Sequence, residues 1–361
     1  MGCSGSKTVE TNDDITLKDK PKDKVVHKEV PKNLKSFLKQ QNQEFVKFDL
    51  SGGHSIFGES LIMEAKSLSD NSSIRYMFRQ FKPIRDFEWE YYISKEMGEM
   101  EVAPKIVFAD HKTKFWLQQF VENSITLKPL VYPPESLKQT GVLLKKFHSF
   151  SSKIKVPDSY DFFDKVKMNA LRIIGSHPML SRFKRTVEGV DQILKIFEKN
   201  SEKCLCHNDF GYGANTLWDE KRPWLIDFEF SGMFYKYFDI GAFISLLIMT
   251  EKDRESFLEG YYGGKRSEKE EALVYMGEIY GLYKYSMFAV NLIGEVPEDV
   301  NDEFFDNILE LNQLRTGKAK FDKSEIDTVR GNIKIASMYL KQAEVNMQTE
   351  KCKNAMKILG A

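Results

Sequence analysis

Chemistry-bearing side chains concentrate in one stretch of this sequence. It reads Cys204-Leu205-Cys206-His207-Asn208-Asp209-Phe210-Gly211-Tyr212-Gly213-Ala214-Asn215-Thr216-Leu217-Trp218, and then Trp224-Leu225-Ile226-Asp227-Phe228-Glu229. Two short apolar segments flank a turn, and each presents a carboxylate. Phosphoryl transfer from ATP needs such a set: a carboxylate to orient the attacking hydroxyl and accept its proton, and hard oxygen ligands for Mg²⁺ on the phosphates. Asp209 suits the first role, and Asn215 and Asp227 the second.

Other elements must hold these residues in place. From about Gln43, short apolar and aromatic runs (Phe45 to Phe48, Ser60 to Met63, Arg75 to Phe78) read as strands of a small sheet. Between the first two lies Ser51-Gly52-Gly53-His54-Ser55, a turn whose free backbone N–H groups at Gly52 and Gly53 suit a phosphate. Asp86 to Met97 reads as a helix with Glu88 and Glu90 near its start, and Phe115 to Val121 as a further strand. From about Thr126 the pattern turns helical: Leu137 to Phe150, Asp161 to Ile174, Ser181 to Lys199 and Glu268 to Asn291. A strand-rich part followed by a helix-rich part predicts an α+β protein of two lobes with a crevice between them.

Composition narrows the function classes. The 361 residues carry 53 Lys+Arg and 53 Asp+Glu, so there is no global basic field for nucleic acid. Cys3, Cys204, Cys206 and Cys352 are too few and too scattered for a disulfide scaffold, and they read as belonging to a reducing compartment. The longest apolar run, Ile240 to Met249, has about half the length of a bilayer span.

The motif order carries a resemblance. His207-x-Asp209, Asn215 and Ile226-Asp227-Phe228-Glu229, followed by Tyr235-Lys236-Tyr237-Phe238-Asp239-Ile240-Gly241, resemble the catalytic and metal motifs of choline and ethanolamine kinases, within the aminoglycoside-phosphotransferase superfamily. Upstream, Ile84 to Glu90 with Ala103-Pro104-Lys105 is similar to the family's αC helix and its exit, and Leu143 to His148 to its helix after the hinge. The resemblance spans roughly residues 48 to 291. It implies a protein-kinase-like fold with a small β-rich N-lobe and a large helical C-lobe. It also implies ATP and Mg²⁺ as cofactors, Arg79 paired with Glu90 at the nucleotide, and Gln119, Phe120 and Val121 lining the nucleotide site. His207 and Asp239 become scaffolding of the catalytic loop.

A small amino alcohol, choline or ethanolamine, is the substrate the resemblance implies, its product feeding phospholipid synthesis. The family's aromatic substrate segment is represented by Ile279-Tyr280-Gly281-Leu282-Tyr283, where Tyr280 and Tyr283 could meet a cationic head group. Glu229 would balance its charge. Three departures stand against this. Asn215 follows Asp209 by six residues where the family has five, so the loop must bulge. Ile56 replaces the Asn favoured in the glycine turn, and the far C-terminal signature is not recognisable. These motivate a second reading, a membrane-tethered pseudokinase acting as a binding module; a kinase of another small hydroxylated substrate is a third.

Both ends carry further expectations. Met1-Gly2-Cys3-Ser4-Gly5-Ser6 fits N-myristoylation at Gly2 with palmitoylation at Cys3, which would hold a cytoplasmic protein on the cytoplasmic face of a membrane. Lys7 to Lys39 carries nine Lys against six acids and reads as a solvated tether. The expected organisation is a tether over 1–40, a nucleotide-binding N-lobe over 41–124, a catalytic and substrate-binding C-lobe over 125–317, and a helical extension over 318–361. The extension would pack on the large lobe or form a homodimer.

Overall fold

The structure, a computed structural model, describes residues 29–49, 54–55, 58–82, 86–175, 177, 180–211, 213–293, 295–297, 300–301, 303–304, 307–316, 318 and 328–361. Gly2, Cys3, Gly52 and Gly53 lie outside the described residues.

The first described element is a helix, α1 (Lys32–Gln40), in the segment where the sequence predicts solvated tether as far as residue 40. Its reason is local amphipathicity: Leu34 and Leu38 stack at i and i+4 and are buried, while Lys32, Lys35 and Lys39 stay in water. Burying those two leucines contributes about 2 kcal/mol each. The strands β1 (Gln43–Asp49), β2 (His54–Ser55), β3 (Gly58–Ser67) and β4 (Ser73–Phe81) follow. Then come helix α2 (Phe87–Glu99), β5 (Ile106–Asp110) and β6 (Phe115–Gln119). Together the strands form an antiparallel sheet ordered β1-β3-β4-β6-β5, with β2 on β3. Alternation along β3 and β4 sends Leu61, Met63, Ala65, Tyr76 and Phe78 to the face covered by Val30, Leu34 and Leu38. The opposite face carries Arg79 beside Trp116, its partner across the ladder, and looks toward α2.

After β7 (Ile125–Thr126), the chain forms α3 (Pro134–His148), α4 (Tyr160–Ile174) and α5 (Leu180–Asn200). Three short strands, β8 (Cys204–Cys206), β9 (Thr216–Trp218) and β10 (Pro223–Leu225), lead to a 3₁₀ turn (Phe228–Phe230) and β11 (Gly232–Phe234). Helices α6 (Lys236–Leu246), α7 (Glu251–Tyr262) and α8 (Glu268–Asn291) build the large lobe around one core. Helix α8 is the hub, buried on nearly all sides from Ala272 to Val290 and opened by a Ser267–Glu270 capping box. Close crossing of α6 and α8 depends on glycine: a Cβ on Gly277 would stand 2.0 Å from the Tyr237 carbonyl oxygen, and one on Gly241 2.0 Å from the Gly277 carbonyl carbon. The apolar run at Ile240 is thus core helix. Among the described residues, no helix is long and apolar enough to cross a membrane.

A short α9 (Leu311–Arg315) precedes α10 (Val329–Met347) and α11 (Glu350–Leu359). The C-terminal extension packs on the large lobe. Tyr275 of α8 bonds the Asn346 carbonyl and the Thr349 hydroxyl, and Ile333, Ala336, Leu340, Cys352, Ala355 and Leu359 are buried in the same core.

Candidate active site

Strand β8 delivers the chain into the His207–Asn208–Asp209 turn, and Asp239 in the first turn of α6 fixes that turn. Its Oδ2 accepts the His207 N–H at 2.6 Å, its Oδ1 the Asn208 N–H at 2.9 Å, and its Oδ2 also meets His148 Nε2 of α3 at 3.0 Å. A fully buried carboxylate is tolerable because three donors replace its water. Burial pushes the His207 imidazole below its ordinary value, so it stays neutral and donates Nε2–H to the Ile226 carbonyl at 2.9 Å. That bond ties the Asp209 turn to the strand end that presents Asp227. His207 and Asp239 thus both hydrogen-bond the backbone around the Asp209 turn.

Asn208 completes the frame. It adopts a left-handed backbone (φ +64°) that Asn tolerates, and its amide donates to Ser159 Oγ and the Phe230 carbonyl. Asp227 is also left-handed (φ +65°), which turns its carboxylate away from the direction of β10 and into the crevice.

The six-residue spacing is accommodated. Gly213 sits at φ +65°, where a Cβ would come within 2.8 Å of the Leu127 carbonyl oxygen, and its own carbonyl accepts the Thr216 N–H. The bulge returns Asn215 to Asp209. Its Nδ2 donates to the Asp209 carboxylate at 2.9 Å and to the Asp209 carbonyl at 2.8 Å.

From the other lobe, β4 sends Arg79 across the crevice. Its guanidinium bonds Asp227 Oδ1 at 2.8 Å and lies 3.1 Å from Glu90 Oε1, whose side chain is buried on α2. Burial works against that charge, but Asp227 and Glu90 outweigh it and keep Arg79 firmly protonated. Helix α2 is held by the Asp86 cap on the Trp89 N–H, and Trp89 Nε1 donates to the Ser231 carbonyl just beyond the 3₁₀ turn. The pair reaches from sheet to helix to Asp227, which joins the two lobes.

Two influences raise Asp209. Burial and then the charge of Asp227 push its carboxyl up to about 7, against the lowering bonds from Asn215 and Tyr285. Beside Asp209, the Asp227 carboxylate and the Asn215 Oδ1, left as an acceptor by its donating Nδ2, offer hard oxygens. That donor chemistry fits a divalent cation such as Mg²⁺.

Gln119, Phe120 and Val121, at the exit of β6, line a cleft of about 690 Å³ with Asp219 to Lys221 and Trp224. Arg75 spans it, paired with Glu122 and lying 4.6 Å over the Phe120 ring.

The structure does not bring Tyr280 and Tyr283 to the site. Tyr280 is 0% exposed and packs on Phe197, Phe234 and Phe238; Tyr283 is 3% exposed and fits the notch left by Gly189 on α5. Both are core, because α8 is surrounded by helices and a tyrosine on it is buried whichever way it points. The tyrosine of this helix that reaches Asp209 is Tyr285. A Cβ on Gly211 would come within 2.7 Å of its ring, and its hydroxyl bonds Asp209 Oδ1 at 3.2 Å and accepts the Gly211 N–H at 3.0 Å. Beside it, half-buried Phe288, Phe162 and Phe230 form a connected aromatic group, with Phe162 stacked on Phe230 at 4.6 Å. Glu229 precedes Phe230 in the 3₁₀ turn. Nothing in the spacing of these residues, which come from α4, the turn and α8, singles them out in the sequence.

A family model described as choline/ethanolamine kinase matches residues 58–265. Among solved structures, the chain resembles a choline/ethanolamine kinase family protein from Mesorhizobium loti at 15% identity and TM-score 0.61, covering 87% of this chain and 92% of that one. It resembles choline kinase LicA from Streptococcus pneumoniae at 16% identity and TM-score 0.55, covering 85% and 98%. A microcompartment-associated aminopropanol kinase aligns at 12% identity and TM-score 0.55, covering 86% and 94%. No curated protein sequence matches.

Proposed function

Because this chain belongs to the choline/ethanolamine kinase family, we propose that it transfers the terminal phosphoryl group of ATP to the hydroxyl of a small amino alcohol. The observation that carries this reading is Asp209, held by Asn215 and Tyr285 and set against the Arg79–Asp227–Glu90 bridge. A carboxyl raised to about 7 is matched to accepting a hydroxyl proton near neutral pH. Asp209 aligns the substrate hydroxyl and takes its proton as the new O–P bond forms and the bond from the γ-phosphorus to the bridging oxygen breaks, with ADP as the leaving group. Asn215 and Tyr285 fix the carboxylate's orientation. Mg²⁺, when bound, would neutralise phosphate charge, and Asp227 and Asn215 would hold it. Arg79 keeps Asp227 oriented.

The Phe162–Phe230–Phe288 group supports an ammonium-bearing substrate. Aromatic faces attract a cation by about 0.5–2 kcal/mol each, and Phe288 of this group packs on the tyrosine that touches Asp209. Glu229, next to Phe230, supplies the counter-charge. Return of Asn215 to Asp209 across the longer loop favours an active enzyme over a pseudokinase.

The test is ATP consumption with choline, ethanolamine, aminopropanol and an aminoglycoside, each assayed with wild type and Asp209→Asn. Turnover with at least one amino alcohol is expected, falling about a thousandfold in the variant with its melting temperature retained. A folded variant with near-normal turnover would sink the assignment of the base.

A further inference from the structure

The two cysteines of β8 take no part in holding Asp209 or Asp227, and their arrangement gives them a chemistry of their own. Cys204 and Cys206 are two residues apart on an extended strand, so both side chains leave the same face. Both are free thiols, and their sulfurs touch at 3.8 Å. Cys204 is half-buried and Cys206 fully buried. The Cys206 sulfur lies within 4.8 Å of a His148 ring nitrogen and of the Asp239 carboxylate, which accepts the His207 N–H. The two thiols are moved in opposite directions. The bond from Cys206 holds Cys204 down at about 7 against the raising effect of burial, while burial pushes Cys206 up, so that it keeps its proton. A partly open, acidified thiol in contact with a second thiol is the arrangement of a reversible oxidation site, whereas a buried cysteine without such a neighbour is inert.

We propose that Cys204 is a site of oxidation by a hydroperoxide, and that Cys206 resolves it to a disulfide within β8. The Cys204 thiolate attacks one peroxide oxygen: an S–O bond forms, the O–O bond breaks, and the other oxygen leaves as water with the proton that the thiol gave up. The Cys206 sulfur then attacks the Cys204 sulfur. An S–S bond forms, the S–O bond breaks, and the departing hydroxide takes the Cys206 proton as a second water. The two thiols together lose two electrons, which the peroxide gains. A reducing dithiol restores both by exchange. Two residues of extended strand span about 6.6 Å, near the upper edge of the Cα separation a disulfide accepts, so the bond must draw β8 short. Strain of that kind makes a disulfide easy to reduce, which suits a reversible modification and not a structural crosslink. It falls on the pairing of Cys204 with Phe234 and of Cys206 with Gly232 across to β11, and on the His207 N–H held by Asp239.

Hydrogen peroxide added to the full-length protein, reduced and then freed of reductant, tests this without reference to phosphoryl transfer. The thiols that remain are alkylated and mapped by mass spectrometry. Wild type should lose the alkylatable thiols of Cys204 and Cys206 together, in one peptide lighter by two hydrogens, and dithiothreitol should restore both. Cys206→Ser should stop at the sulfenic acid, captured on Cys204 by dimedone. Cys204→Ser, at the half-buried position, should leave Cys206 reduced at retained melting temperature. Amide hydrogen exchange over 204–207 and 232–234 should quicken on oxidation and return on reduction. Both thiols of wild type remaining alkylatable, Cys204 passing to sulfinic acid with no disulfide, Cys206 of Cys204→Ser oxidising as fast as in wild type, or exchange unchanged in the disulfide form would overturn the proposal.

Discussion

At the scale of residues, the site turns on how a single carboxylate is held. Asp209 receives the Tyr285 hydroxyl on one oxygen and the Asn215 amide on the other, and both bonds lower a carboxyl that burial and Asp227 raise. Tyr285→Phe removes one lowering bond, so the Asp209 carboxyl must titrate still higher. Less of it is then ionised at neutral pH, and the acid limb of kcat/KM should move to higher pH. A bond to a charged acceptor is worth about 1.5–3 kcal/mol, so activity at neutral pH should fall about tenfold and partly recover in mild alkali. A uniform loss at every pH would show that Tyr285 acts by packing alone. The tyrosine was not legible in the sequence. Tyr280, Tyr283 and Tyr285 share one helix, and only the packing around α8 decides which of them meets Asp209.

At the scale of elements, the crossing of α6 and α8 sets the position of Asp239, and through it the whole catalytic turn. Gly241 and Gly277 let the two backbones touch. Gly277→Val would drive a branched side chain into the Tyr237 carbonyl, part the helices and cost about 3 kcal/mol. Gly264→Ala, where a Cβ meets nothing within 4 Å, should change stability by no more than about 0.5 kcal/mol. Denaturant unfolding of both variants checks the pair, and equal stabilities would refute the close-crossing argument. The sequence located helix α8 correctly over Glu268 to Asn291, because a Ser-x-x-Glu start and a long apolar pattern are local signals. It extended the tether to residue 40, where α1 forms, since that helix owes its stability to the sheet face it covers.

At the scale of the whole molecule, an ion-paired bridge links the two lobes, and the C-terminal helices close the back of the large lobe rather than standing apart from it. We extend the functional proposal to the N-terminus: myristate on Gly2 and palmitate on Cys3 would place this kinase on a membrane surface. One acyl chain binds marginally and two bind firmly. Gly2→Ala should therefore move the protein to the soluble fraction of a cell with acyltransferases, and Cys3→Ser should leave weak, salt-insensitive attachment, both with unchanged turnover. Wild-type protein recovered wholly soluble, with an unacylated N-terminus by mass spectrometry, would refute the anchor. The sequence alone determined the two lobes, the order of the motifs and that Asp209 and Asp227 end the two short segments facing each other. Those signals are local, namely periodicity, caps and short runs whose spacing is fixed along the chain. Tertiary structure alone decided that Gly213 absorbs the extra loop residue, that Arg79 bridges Glu90 to Asp227, that Tyr285 rather than Tyr280 reaches Asp209, and that His148 stands behind Cys206. Each of these joins residues far apart in the chain, and a contact of that kind follows from how helices and sheet pack, not from any pattern within one segment.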